Sequence, residues 1–229
     1  MKRLIFIMLF FCALKIFAQG VGGEIKHSGN TYKSTMTSVI RQKIVYKHMK
    51  GKELNQMPIE DAFYSEELEK KAKYGNAAAQ YALAKIYCFG NGIKANDDLS
   101  KHYLIKSAEQ GYTPAQYSLG IMYLNGSIDG ETQYELAHKY LVLAAEKGNI
   151  NAMFYTGVDF LLGRGVTQDT SKALYYIENA AQENDVFALN LLGSMYRDGK
   201  YKQKDLHKAF NCFVKSANQG NANAQSYLG

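Results

Sequence analysis

Five histidines are the residues in this sequence best suited to binding a metal ion. The spacings His-x-x-x-His and His-x-His, which bring two imidazole rings to one ion, do not occur. We therefore predict structural roles at surface or partly buried positions, with no metal site and no bound cofactor. The histidines are His27, His48, His102, His138 and His207.

Two pairs of adjacent carboxylates, Glu66-Glu67 and Asp97-Asp98, are the candidates for acid–base chemistry. Each pair lies at or near the start of a run with helical periodicity. Carboxylates at this end of a helix are stabilised by the helix dipole, so a structural role accounts for both pairs. We predict no catalytic residue among them.

Two glycine-rich segments, GNGI at residues 90–93 and GRGV at residues 163–166, are candidates for phosphate binding. A phosphate-binding loop follows a strand and is followed by Lys and then Ser or Thr. Neither condition is met here. We predict that both segments are turns between helices, each followed by an apolar anchor residue.

The first 18 residues have the features of a secretory signal peptide. Basic residues at positions 2 and 3 precede an apolar run from Leu4 to Leu14, and Ala18 is a small residue before a cleavage site. The run has 11 residues, well short of the ~20 that a bilayer-spanning helix needs, so a permanent anchor is the less favoured alternative. Phe11, directly before Cys12, disfavours a lipoprotein signal. We expect export to the periplasm, with secretion as the alternative and no integral membrane domain after cleavage.

Positive charge is concentrated just after the signal peptide. Residues 19–54 contain seven Lys or Arg against two Glu, whereas the residues after them carry a net charge of −2. We assign residues 19–60 to a basic segment, partly disordered or helical, with a candidate helix over residues 37–49. Such a segment suits a cell-envelope component such as peptidoglycan, an anionic lipid or an acidic protein, and the alternative is a solvated leader. Nucleic acid is not an expected partner of an exported protein.

A period of 36 or 37 residues runs through the rest of the chain. Helix-like runs end at Gly75, Gly111, Gly148, Asn184 and Gly220, and an alanine follows four residues after each. Glycine and asparagine are the residues that best adopt the left-handed conformation that ends a helix. The predicted units are a capping half repeat (61–75), four complete copies (76–111, 112–148, 149–184 and 185–220) and an incomplete fifth (221–229), which we expect to reflect a truncated gene product.

Each period contains two amphipathic runs, which predicts eight antiparallel helices over residues 76–220 and a ninth over residues 61–75, without strands. In the second copy, Ala115, Leu119 and Tyr123 follow helical spacing on one face, with Gly120 beside them. A glycine inside a helix costs about 1 kcal/mol, so a recurring small residue predicts the close approach of another helix. The equivalent small residues are Ala84, Gly157 and Gly193.

The order Ala-x-x-x-Leu-Gly-x-x-Tyr-x-x-Gly, a glycine-rich turn, Lys-Ala-x-x-Tyr and Ala-Ala-x-x-Gly resembles the Sel1-like repeat, a relative of the tetratricopeptide repeat. The resemblance covers residues 76–220, and departures at Ala84, Thr156 and Phe160 leave the period intact. It implies an all-α fold, an α/α solenoid of helix pairs that form a right-handed superhelix.

The resemblance also implies a non-catalytic scaffold or adaptor that binds a protein or peptide partner. Some exported relatives have been associated with penicillin binding and β-lactamase activity, which is the alternative function. This sequence lacks the Ser-x-x-Lys and Lys-Thr-Gly motifs of such serine enzymes, and it lacks the two cysteines per repeat of those relatives. We therefore do not expect an enzyme.

Cys88 and Cys212 remain after signal cleavage, in the first and last complete copies. In a linear stack they are too far apart for the ~6 Å Cα separation of a disulfide. We predict that both are unpaired and largely buried.

A second stripe on each first helix is the candidate partner groove. Stacked repeats expose their first helices along a concave surface, and ~100° per residue places Tyr117, Ile121 and Leu124 opposite the packed face. The stripe is apolar in early copies and polar in the fourth, and the alternative is that its side chains pack against the next copy. We expect alanine at Tyr81, Tyr117 or Phe154 to cost about 1 kcal/mol or less. The groove residues are Tyr81, Lys85, Tyr117, Ile121, Leu124, Phe154, Val158, Leu161, Asn190 and Arg197.

Overall fold

The structure is a computed structural model that describes residues 63–127 and 130–228. These residues form ten α-helices and no strand, which confirms the predicted all-α class. The signal peptide and the whole basic segment, with its candidate helix over residues 37–49, lie outside them. The helices are α1 (Glu66–Lys73), α2 (Ala77–Phe89), α3 (Asp97–Glu109), α4 (Thr113–Leu124), α5 (Tyr134–Glu146), α6 (Ile150–Leu162), α7 (Thr170–Gln182), α8 (Val186–Asp198), α9 (Leu206–Asn218) and α10 (Ala222–Leu228).

The helices stack in chain order as a solenoid. Each of the four copies contributes a first helix (α2, α4, α6 or α8) and a second helix (α3, α5, α7 or α9), which pack mainly on one another and on the adjacent helix of the neighbouring copy. The helix α1, within the segment predicted to be a capping half repeat, packs on α2 at the first end of the described stack. Because each copy contacts chiefly its neighbours, its apolar faces are buried by stacking rather than within a single pair. No helix in the described part of the chain has the length and apolar character needed to cross a membrane.

Polar side chains begin most of the helices. Asn76, Asn149 and Asp185 accept a hydrogen bond from the backbone N–H three residues ahead, at 2.7–2.8 Å. Such N-caps replace hydrogen bonds that the first turn cannot make within the helix. The helix α4 has no side-chain cap and instead has Pro114 in its first turn, where the missing N–H costs nothing. Glu66, Glu67, Asp97 and Asp98 lie in first turns, as expected for carboxylates near a positive dipole end.

The residues predicted to end helices have left-handed backbones. The φ angles are +90° at Gly75, +81° at Gly111, +85° at Gly148, +62° at Asn184 and +87° at Gly220. This position of the repeat therefore requires a left-handed backbone, and it is occupied by glycine four times and by asparagine once.

The glycines inside the first helices let the second helix of the same copy come close. A Cβ added at Gly157 would lie 2.7 Å from Ile177 Cγ1 and 3.1 Å from the Ala173 carbonyl oxygen. Gly120 faces Leu141 and Gly193 faces Phe213 in the same way. This confirms the predicted close approach.

Aromatic rings also join the two helices in each of the first three copies. Tyr87 stacks on Tyr103 at 6.0 Å, and Tyr123 stacks on Tyr140 at 5.9 Å between ring centroids. In the third copy Phe160 and Tyr176 form the same stack at 5.9 Å. Phenylalanine therefore replaces the motif tyrosine without loss of the contact.

Candidate partner-binding surface

The residues predicted to form a groove all lie on first helices, but they differ in burial. On α2 and α4 they are half-buried, as are Asn190 and Arg197 on α8. On α6, by contrast, Phe154, Val158 and Leu161 are buried, with exposed fractions of 6% or less. The open surface therefore does not run evenly along the stack.

The expectation that the three α6 residues are exposed is wrong. They belong to one apolar cluster with Leu189, Leu192 and other residues of the fourth copy, and the Phe154 ring lies 5.8 Å from that of Phe187. The next copy stacks closely enough to cover this part of the stripe. For all three residues, the alternative hypothesis given above is correct: the side chains pack against the next copy.

The half-buried aromatic residues of the stripe also join successive copies. Tyr81 on α2 lies 5.5 Å from the Tyr112 ring, and its hydroxyl is 3.1 Å from Ser118 Oγ. Tyr117 on α4 lies 6.4 Å from the ring of Tyr155 on α6. Both residues are half-buried, so part of each side chain is exposed to solvent.

The aromatic residues come together where the second, third and fourth copies meet. We call Tyr117, Phe154, Tyr155 and Phe187 the aromatic cluster. Tyr155 links its members, with ring centroids 6.4 Å from Tyr117 and 5.4 Å from Phe154. Phe187 is 41% exposed and forms the solvent-facing part of the cluster. Sequence reasoning missed Tyr155 and Phe187, because the helical spacing used for the stripe places them beside it.

Asp185 adds a negative charge to this region. Its carboxylate caps α8, with 2.7 Å from the Ala188 N–H to Asp185 Oδ1. Burial raises the pKa of Asp185, and hydrogen bonds from the backbone of Ala188 and Phe187 oppose that effect. Burial is also the main reason that the pKa values of Tyr117 and Tyr155 are raised, and the charge of Asp185 raises both further. The carboxylate and the two tyrosines therefore share one electrostatic environment.

The fourth-copy end of the stripe is polar and partly engaged. Arg197 donates to the Asp198 carboxylate, at 2.7 Å between Arg197 Nε and Asp198 Oδ1, and its guanidinium lies 4.5 Å from the Tyr227 ring centroid. This ion pair is the largest cause of the raised pKa of Arg197. Asn190 Oδ1, in contrast, is buried and has no hydrogen-bond partner among the described residues.

A buried ionic network that the sequence did not predict lies between the second and third copies. Asp159 on α6 is 1% exposed, and its Oδ1 accepts hydrogen bonds from Arg164 Nε at 3.1 Å and from a terminal guanidinium nitrogen at 2.9 Å. His138 Nδ1 on α5 lies 3.4 Å from Asp159 Oδ2, and its ring meets Phe160 edge-on. The equivalent residues in the other copies are apolar: Ile86, Met122 and Met195. An aspartate at this otherwise apolar position is the feature of the sequence that could have indicated the network. This network joins two copies.

No group of three or more metal-binding side chains comes together within residues 63–127 and 130–228. Cys88 and Cys212 are unpaired, as predicted, but they are half-buried rather than largely buried. Burial raises the pKa of both thiols, which makes them poor nucleophiles at neutral pH.

The chain matches a known repeat family. The Sel1 repeat model matches residues 77–112, 113–149, 150–185 and 186–221, each one residue later than the copies predicted above. An uncharacterized protein of Neisseria meningitidis serogroup B is 28% identical over 159 residues, which cover 69% of this chain and 33% of that protein.

The chain is similar to solved structures, among them the following two. One is a protective antigen of uropathogenic Escherichia coli with an SLR fold, at 31% identity and a TM-score of 0.65, covering 76% of this chain and 36% of that one. The other is a Sel1 repeat protein from Oxalobacter formigenes, at 29% identity and a TM-score of 0.63, covering 70% and 64%. The chain thus spans about a third of the length of the N. meningitidis protein and of the E. coli antigen.

Proposed function

Because the chain belongs to the Sel1 repeat family, whose repeats generally mediate protein–protein interaction, we propose that it is an exported, non-catalytic adaptor that binds a protein or peptide partner. The observation that carries this proposal is the aromatic cluster. Phe187 is a large apolar side chain with 41% exposure, beside the half-buried Tyr117 and Tyr155. Exposed aromatic residues over a rigid packed base are typical of interaction sites.

The partner surface in this proposal is smaller than the stripe first predicted from the sequence. It is centred on the aromatic cluster and continues along half-buried positions of the stripe, among them Ile121 and Asn190. The buried Phe154 supports the surface from below, through its contact with Phe187.

Export is supported by the basic, apolar and small residues of positions 1–18. The description of the similar E. coli protein as a protective antigen agrees with it. β-lactamase or penicillin-binding activity gains no support, because Cys88 and Cys212 are unpaired and the serine-enzyme motifs are missing from the sequence.

Partner capture tests the proposal. Tagged protein lacking residues 1–18 is incubated with envelope extract, crosslinked, and the retained proteins are identified by mass spectrometry. Phe187→Ala should lose the partner, whereas Tyr175→Ala, which removes a 62% exposed ring on the second helix α7, should retain it.

Three results would contradict the proposal: no protein enriched over a tag-only control, equal capture by both variants, or hydrolysis of a chromogenic β-lactam by the purified protein. Export has its own measurement. Cell fractionation should place the full chain outside the cytoplasm, and recovery of the uncleaved chain in the cytoplasm would overturn that part.

A further inference from the structure

Asp185 differs from the other aspartates that cap helices in the described repeats. Asp169 and Asp205 also accept from the backbone N–H three residues ahead, but each is paired with the lysine at that place, Lys172 at 3.9 Å and Lys208 at 3.2 Å. At Asp185 that place is taken by Ala188, and no Lys, Arg or His of the described residues forms an ion pair with it. Asp185 thus has a partly desolvated charge that only backbone groups offset.

Cations already lie over aromatic rings at both ends of the stripe. Lys85 Nζ is 5.9 Å from the Tyr81 ring centroid in the first copy, and Arg197 lies over Tyr227 at the far end. Among the described residues, no cation lies over the rings of Tyr117, Tyr155 or Phe187, which lie between these two ends. The faces of such rings attract ammonium and guanidinium groups within about 6 Å, most strongly when solvent is partly excluded.

We propose that Asp185 and the aromatic cluster form a binding site for a basic side chain, lysine or arginine, of the partner. This inference rests on the proposed function and specifies the chemistry of the ligand. The basic group lies against the aromatic cluster at Phe187, its solvent-facing member, and its charge pairs with the Asp185 carboxylate two residues earlier. An acidic or purely apolar peptide would leave that carboxylate without its counter-charge.

Asp185→Asn is the sharpest test, because asparagine caps helices as well as aspartate and removes only the charge. Asp169→Asn is the matched control at another helix N-cap. The probes are blocked hexa-arginine and its uncharged counterpart hexa-citrulline, titrated by calorimetry into the chain lacking residues 1–18. Because that chain has a formal charge of +3, general electrostatics would not favour a cationic peptide.

The wild-type protein should bind hexa-arginine and not hexa-citrulline. Asp185→Asn should weaken binding about tenfold or more, since a charge-assisted contact is lost, whereas Asp169→Asn should bind as wild type. Phe187→Leu, which keeps apolar volume but removes a ring face, should also weaken binding several-fold. Equal affinity of wild type and Asp185→Asn, or equal weakening by both asparagine variants, would overturn the inference.

The two proposals fail separately. If wild type and Asp185→Asn capture the same partner from envelope extract with equal yield, the adaptor function stands and the basic ligand is excluded. If wild type captures no partner, the adaptor function fails, and the titration still decides whether the site binds a cation.

Discussion

The carboxylate of Asp159 occupies a position that is apolar in the other three copies. It is 1% exposed and is held by Arg164 and His138. Asp159→Asn replaces charge-assisted hydrogen bonds with weaker ones, while the partly exposed Arg164 can turn to water, so we expect the free energy of unfolding to fall by about 1–3 kcal/mol. Urea denaturation followed by circular dichroism measures this change.

Asp159→Met is the matched variant, because methionine fills the equivalent position in two other copies. In both variants the Arg164 side chain, which is 22% exposed, can extend its guanidinium to water. Asparagine also buries a polar amide and methionine does not, so Asp159→Met should lose less stability than Asp159→Asn. A larger loss with methionine would show that the hydrogen-bond network, rather than burial of a polar amide, dominates.

Gly157 illustrates a position where one methyl group matters. A Cβ there would lie 2.7 Å from Ile177 Cγ1 and 3.1 Å from a backbone oxygen that cannot rotate away. Gly157→Ala should therefore destabilise the protein by roughly 1–3 kcal/mol, despite the better helix propensity of alanine. Thermal unfolding measures the effect.

The control is Gly148→Asn. Gly148 has a left-handed backbone with nothing near an added Cβ, and Asn184 already occupies the same column. We expect a loss below about 1 kcal/mol. A Gly157→Ala variant as stable as this control would mean that the two helices can move apart at little cost.

At the scale of helices, burial decides which part of the stripe is available to a partner. Phe154 is 3% exposed and packs on Phe187, so Phe154→Ala should cost about 3–5 kcal/mol, where the sequence alone suggested about 1. Phe187→Ala should cost about 1 kcal/mol or less, because its ring is 41% exposed. Chemical denaturation of both variants gives the comparison, and equal losses would contradict it.

The helices and their ends could be predicted from the sequence because their determinants are local. The left-handed column from Gly75 to Gly220 and the close contact at Gly157 follow from residue type and period. The burial of Val158 could not be predicted in this way. A helical wheel orients a side chain relative to its own helix, whereas burial here depends on how closely the next copy stacks. The pairing of His138 with Asp159 was missed for the same reason, since it crosses between copies.

At the scale of the whole molecule, the linear stack keeps Cys88 and Cys212 apart. Reductant should therefore leave the melting temperature of the chain lacking residues 1–18 unchanged, and a thiol reagent should label two cysteines after unfolding. Burial raises both thiol pKa values, so less thiolate is present at pH 8 in the folded protein than in the unfolded one. Alkylation by iodoacetamide should be slower in the folded state, as mass spectrometry over time would show. An intramolecular disulfide in the oxidised protein would contradict the stack.

The network at Asp159 also makes the loss of one copy differ from the loss of another during evolution of the repeat. Unequal crossing-over adds or deletes whole periods, and the contacts of the glycines inside first helices survive it because they lie within one copy. Loss of the second copy would place Lys101, the equivalent of His138, near Asp159, so a cation would still face the acid. Loss of the fourth copy would leave the acid and both partners in place. Loss of the third copy would remove Asp159 and leave His138 facing Met195. A histidine at this place without an acidic partner would therefore indicate that a copy carrying the aspartate had been lost.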